Sequence, residues 1–353
     1  MRIPISFLLL ALSIQGAQPD ADSLMANGHW KRARALAEAG YKAHPNDARA
    51  NYLMARVRRL FKNLDEAAKY AETAVRLDPK SSAYHRELGQ IYFDQVETAS
   101  LFTAIGLAKK CRTELETARA LAANDPDAMF DLVAFHVQAP GMAGGDRKKA
   151  SEIAQELLKI DPPRGYLALA HIARHDRDED RVEGLCQKAA AAGPRNYEAQ
   201  IALANYYVGA QHANPIVAEQ HAKIALEINS DRIDAYRALA AALVLEKRYE
   251  DAAKLMSRAE TAVPDDLSPY VTAARAMLRN EVELPKAKTY LQKYLNQTKE
   301  PEPSAPFIAG VHRSLGLVFE KEGRMADAKR ELETAVRLKP DFEPAKQDLK
   351  RLK

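Results

Sequence analysis

Tryptophan occurs once in this chain of 353 residues, cysteine twice and glycine 15 times. Two cysteines, Cys111 and Cys186, are too few for a disulfide framework. Widely separated in the sequence, they read as small buried apolar residues. Neither charge sign dominates, with 52 Lys and Arg against 48 Asp and Glu interspersed along the sequence, so neither a nucleic-acid footprint nor a polybasic membrane contact is expected. Apolar runs long enough to span a bilayer, about 20 residues, are also missing. What remains is alanine, leucine, lysine, arginine and glutamate, the palette of helices packed through small side chains.

The start of the chain differs from the rest. Arg2 gives a positive beginning, Ile5 to Ile14 is apolar apart from Ser6 and Ser13, and Gly16 and Ala17 are small. That pattern predicts a signal peptide over 1–17 and an exported, periplasmic or secreted product. Without it the chain would carry 51 basic and 48 acidic side chains.

Self-similarity is the strongest signal. Ala33, Ala37, Gly40 and Pro45 return one period further on as Ala67, Ala71, Ala74 and Pro79. The frame recurs as Ala252, Met256, Ala259 and Pro264, and as Ala328, Leu332, Ala335 and Pro340. Ahead of the later instances stands a leucine, a small residue and, three on, a large one: Leu88-Gly89 with Tyr92, Leu203-Ala204 with Tyr207, Leu239-Ala240 with Leu243, Leu315-Gly316 with Phe319. The small residue lets a second helix approach and the large ones fill the gap between helix pairs. Gly28 and Gly323 permit the reversal between antiparallel helices.

These residues resemble the tetratricopeptide repeat, whose period of 34 and aromatic, leucine-small, aromatic, alanine, proline signature are met best in Leu315 to Pro340 and Tyr236 to Pro264. The resemblance implies an all-α, right-handed α-solenoid of about nine helix-turn-helix repeats. Repeat ends are expected near Pro45, Pro79, Pro126, Pro162, Pro194, Ser230, Pro264, Lys299 and Pro340, with repeats one to eight over 18–299. A proline-rich loop at 300–306 and a last repeat with a capping helix over 307–353 complete the chain, the cap covering the exposed final face.

Two stretches leave the pattern. The repeat between Pro79 and Pro126 is longer than the period, with the excess around 93–112, readable as helix extension or as a lid over the inner face. Gln138 to Asp146 is glycine-rich and precedes a helix, without the lysine-serine/threonine ending of a phosphate loop, so a structural turn capped by Asp146 is expected. Taken together, the two stretches are similar to a bacterial subgroup of the family, which implies a bacterial source and no particular activity. His171 and His175 share a helical face as zinc ligands can, yet Ile172 stands where a metalloprotease needs glutamate. No metal, cofactor or catalytic residue is assigned.

In the resembled family the first helix of each repeat lines a concave groove that holds extended peptides or helices. Mapped here, the inward positions are Tyr52, Arg56, Arg59, Arg86, Gln90, Phe93, Phe130, His171, Arg174, Ile201, Asn205, Arg237, Arg275 and Arg313. Arginine recurs and acid is absent from the set, which suits a partner's acidic segment or terminal carboxylate. The lysine-asparagine pattern by which the family grips chaperone tails is not reproduced by Arg49, Tyr52 and Arg56. The expected function is a non-catalytic scaffold for a protein or peptide partner in envelope assembly. An accessory subunit for polysaccharide or peptidoglycan, suggested by Tyr52 and Phe93, and a metal-dependent enzyme are the alternatives.

Overall fold

The computed structural model describes residues 20–209, 211–297 and 305–352. The expected signal peptide, the repeat end at Lys299 and positions 300–304 of the proline-rich stretch lie outside the described residues. Nineteen α-helices follow one another among those residues, with no strand.

The helices pair in chain order. α1 (Ala21–Asn27) and α2 (Trp30–Ala43) open the array, then α3 (Ala48–Leu60) with α4 (Leu64–Leu77), α5 (Ser82–Val96) with α6 (Leu101–Leu121), and α7 (Pro126–Gln138) with α8 (Arg147–Ile160). α9 (Pro162–His175) pairs with α10 (Glu179–Ala192), α11 (Tyr197–Tyr207) with α12 (Pro215–Ile228), and α13 (Ile233–Leu245) with α14 (Tyr249–Ala262). α15 (Ser268–Arg279) with α16 (Leu284–Gln297) and α17 (Ala305–Lys321) with α18 (Met325–Leu338) make nine pairs, and α19 (Glu343–Arg351) closes the end. Each helix packs on its chain neighbours, and each first helix also touches the first helix of a flanking pair along much of the array.

The small-residue frame is the core. Ala33, Ala67, Ala74, Ala252, Met256, Ala328, Leu332 and Ala335 are fully buried, where an alanine lets the next helix come close. Gly165 carries this furthest: a Cβ there would collide with the Cα and backbone nitrogen of Leu158 on α8. The irregular repeats obey the same frame, since Val182, Cys186 and Ala189, and likewise Ala287, Leu291 and Tyr294, are buried. Both cysteines are free thiols in the core, and burial pushes Cys111 up to about 12.

Pro126 and Pro162 mark the repeat boundaries from the far side, standing in the first turn of α7 and α9, where the fixed φ suits a helix start and the missing N–H costs nothing. In most pairs the turn between the two helices holds a left-handed residue. Gly28 and Gly323 supply it, but Lys62, Arg177, Lys247 and Glu281 hold equivalent turns with φ of 54–61°. The excess length of the third repeat goes into α6, which runs to 21 residues against 14 in α4 and α8; this is the helix-extension reading. Asp146 caps α8, accepting the N–H of Lys148 and Lys149 at 2.9 and 3.1 Å.

The array also closes on itself. The α1–α2 turn meets the turns before α13 and α15: Asn229 Nδ2 donates to Asn27 Oδ1 at 3.3 Å, and Nε2 of the fully buried His29 lies 2.8 Å from the Asp231 carboxylate. Gly28, at φ 94°, sits so close to Ile233 that an added Cβ would meet its Cγ2 at 3.0 Å. Asp265 accepts backbone N–H groups of α2. The array is therefore a closed turn, sealed by hydrogen bonds that span 202 to 234 positions of sequence.

Candidate functional site

First helices bring the predicted groove residues to one inner face, but in the N-terminal half they are engaged with one another. Arg56 pairs with Asp22 of α1 and approaches Glu87 of α5 at 3.7 Å. Arg59 binds Asp94 at 3.0 Å and Gln90 at 2.5 Å, with Glu87 at 3.5 Å. One helix further on, Arg86 reaches Asp127 and Asp131, each at 3.0 Å, Gln90 donates to Asp131 at 2.5 Å, and Arg164 returns to Asp127. Burial pushes the Asp131 carboxyl up, against the pull of Arg86 and the Gln90 hydrogen bond.

These contacts place acid beside a set of mapped positions that itself contains none. Glu87, Asp94, Asp127 and Asp131 lie on the same helices as the mapped positions, one stripe to the side, where each carboxylate reaches the guanidinium of an adjacent first helix. Arg56, Arg59 and Arg86 thus hold neighbouring repeats together. Glu87 is buried, and removing a partner from such a network leaves a charge without compensation.

The aromatic positions divide as well. Tyr52 is buried beneath Arg49 and Arg56 and packs on Tyr84 with ring centres 4.9 Å apart, so it offers no open face. Phe130 lies under the Arg164 guanidinium at 4.8 Å and beside His171 at 6.0 Å. Burial, then Arg174, His175 and Arg147, lowers His171, whose Nε2 stands 3.4 Å from the Gln138 amide nitrogen. Ile201 is buried, contrary to its groove assignment. No group of three or more metal-binding side chains converges among the described residues, so His171 and His175 have no third ligand there.

Phe93 turns to another place. With Asp94 it lines an apolar cleft of about 380 Å³ between the N-terminal end of α6 and the 139–143 turn, where Ile105, Phe135, Pro140 and Met142 meet. The two departures from the repeat therefore face each other, and a Cβ on Gly144 would strike the Arg112 guanidinium. Leu101 and Phe102, 70 % and 87 % exposed, extend from this cleft into solvent.

The C-terminal half of the face is different. Arg174 and Asn205 are exposed and line an open polar cavity with Tyr206 and His212, whose rings stack at 5.0 Å. Arg174 has no carboxylate within ion-pair distance among the described residues. Arg237 is held by Asp234 of its own helix. Arg275 donates to Ser314 Oγ at 3.2 Å and lies 5.3 Å above the Phe307 ring, again without a carboxylate among the described residues. Burial and the neighbouring Arg313 lower it. Arg313 is committed to Asp348 of the capping helix at 2.7 Å. Sequence reasoning missed the closing seam, whose residues form no local pattern.

The tetratricopeptide-repeat family model matches residues 20–82 and 61–100, and a second model of the same repeat matches 314–342. No curated protein matches by sequence. Among solved structures the chain is similar to a thermophilic tetratricopeptide-repeat protein of Thermus thermophilus, at 16 % identity over 54 % of this chain and 98 % of that one, with a TM-score of 0.43. A tetratricopeptide repeat protein of Parabacteroides merdae is 14 % identical over 86 % of this chain and 98 % of its own, with a TM-score of 0.45. Yeast Tom70 is 13 % identical over 94 % and 86 %, with a TM-score of 0.48. No described helix is long and apolar enough to cross a membrane. Tetratricopeptide repeats are thus matched near both ends of the chain, over 20–100 and 314–342, and the helix pairs between them follow one another in the same way.

Proposed function

We propose that this scaffold is non-catalytic and holds an acidic segment of a protein partner along the inner face of repeats five to eight, as part of an envelope complex outside the cytoplasm. Export is the expectation carried by residues 1–17. The single observation behind the acidic partner is Arg275, a half-buried guanidinium on the inner face whose hydrogen bond goes to the Ser314 hydroxyl and whose charge no carboxylate meets among the described residues. An arginine in that state gains from a bidentate carboxylate more than an already paired one does. Arg174 on α9 and Asn205 on α11 extend the same track; Arg56, Arg59 and Arg86 do not, because their carboxylates are built in.

A fluorescent decapeptide of glutamate and glycine and its lysine counterpart separate the outcomes. The acidic peptide binds, the basic one does not, and Arg275→Glu with Arg174→Glu weakens binding at least tenfold. Equal binding of both peptides, or binding unaffected by the two reversals, would overturn the reading.

A further inference from the structure

Closure of the array creates a cavity that no single repeat contains. It measures about 340 Å³ and lies between the α1–α2 hairpin on one side and α13, α15, α16 and α17 on the other. Trp30, Tyr294 and Phe307 provide aromatic wall, while Asp266, Ser268 and Arg237 form its polar end. The size sits in the lower part of the range for pockets that enclose a small molecule.

The polar end is unbalanced. Asp266 accepts the backbone N–H of Ser268 at 2.7 Å, and no described cation stands within ion-pair distance of it. Arg237, which faces it, is already taken by Asp234. Ser268 is buried, and its hydroxyl oxygen has no well-formed hydrogen bond. Burial pushes the Asp266 carboxyl up, with Ser268 and Arg237 opposing and Asp234 adding to the shift. A half-buried carboxylate without a cation is costly; Lys31 lies over the Trp30 ring at 5.0 Å and Arg275 over Phe307 at 5.3 Å, and neither forms an ion pair with Asp266. An incoming anion would instead meet two carboxylates and one guanidinium that is already neutralised.

We propose that the seam cavity binds a small molecule bearing an ammonium group on an apolar or aromatic body, the ammonium at Asp266 and the body against Trp30 and Phe307. Its walls come from both sides of the closure, so the ligand bridges the seam and favours the closed array over an open one. This site uses none of Arg275, Arg174 and Asn205, although Arg275 lies over its Phe307 wall at 5.3 Å.

The single tryptophan is itself a wall of the cavity and reports occupancy. The probes are 2-phenylethylammonium and 3-phenylpropionate, matched in body and opposite in charge, titrated into the full chain at pH 7.5. Trp30 emission responds saturably to the amine and not to the carboxylate. Asp266→Asn weakens the amine response at least tenfold, and Ala26→Met, which fills the cavity from the hairpin side without changing charge, removes it. Equal responses to the two probes, a response to the carboxylate alone, or none to either would overturn the proposal on the unaltered protein, whatever the variants do. An amine response that survives Ala26→Met would do the same.

Discussion

Asp265 caps a helix to which it does not belong: its carboxylate accepts the backbone N–H of Arg32 at 3.3 Å across 233 residues of sequence, and that of Lys31 at 3.2 Å. The residue ahead of α2, His29, makes no side-chain cap of its own. The first turn of α2 therefore depends on a tertiary contact for bonds that a helix ordinarily satisfies locally.

Asp265→Ala accordingly removes a cap and a seam contact together. Loss of a cap costs about 1 kcal/mol, and the remaining contacts at Asn229, Asp231 and Ile233 have to hold the hairpin alone. Hydrogen exchange read at Lys31 and Arg32 accelerates at least several-fold while that of α9 and α10 is unchanged, and small-angle scattering shows a larger radius of gyration. Unaltered exchange at Lys31 and Arg32 would show that α2 needs no cap from α15's leading turn.

Gly165 tests the close approach of α9 to α8. An added methyl there meets backbone, the Cα and N of Leu158, and backbone cannot rotate away as a side chain can. Gly165→Ala forces the two helices apart and costs about 1 to 3 kcal/mol, the range of overpacked cores. Chemical denaturation measures it. Gly184, with open space around its position, is the control, and Gly184→Ala on α10 is stabilising by roughly 0.5 to 1 kcal/mol through helix propensity.

Lys247 illustrates a turn built with the less suitable residue. Its φ of 61° places a side chain where L residues pay about 1 to 2 kcal/mol, at the intra-pair turn that Gly28 and Gly323 make without that cost. Lys247→Gly is expected to raise the melting temperature slightly, a net gain of about 0.5 kcal/mol after the greater freedom of glycine in the unfolded chain. A lower melting temperature would mean that the lysine side chain contributes more than its backbone costs.

The helix pairs were legible because their determinants are local and periodic: Ala67, Ala71 and Ala74 announce a packed face on their own, and Ala328, Leu332 and Ala335 repeat it. The final helix was legible too, although its anchoring by Arg313 and Asp348 was not. The groove was only partly readable. Arg56 and Arg275 look alike in sequence, and what separates them is a carboxylate delivered by another helix in one case and missing among the described residues in the other. Closure left still less trace, because His29, Asp231 and Asp265 belong to three separate turns and meet only after the curvature of several repeats has accumulated.

Three histidines set the response to acid. Burial lowers His136, His171 and His221 below the ordinary value of 6.5, with Lys149 adding at His136 and Arg174 adding at His171. Below pH 6.5 the unfolded chain takes up these protons while the folded chain still refuses them. The unfolded state then binds more protons, so stability falls as pH falls, from about 6.5 down to the depressed folded values, below which the loss is complete. The steepest slope is about 1.4 kcal/mol per pH unit for each proton. Asp131 and Asp266 act with the opposite sign, since burial raises them above the ordinary carboxyl value of 3.8 and protonation relieves the folded state. A wild-type curve alone therefore mixes both effects. His136→Gln isolates one histidine: its side chain stays neutral at every pH, so the difference in unfolding free energy between variant and parent should shift in the variant's favour from pH 7.5 to pH 5.5. A difference that stays constant over that interval would show that His136 accepts its proton in the folded protein as readily as in the unfolded chain.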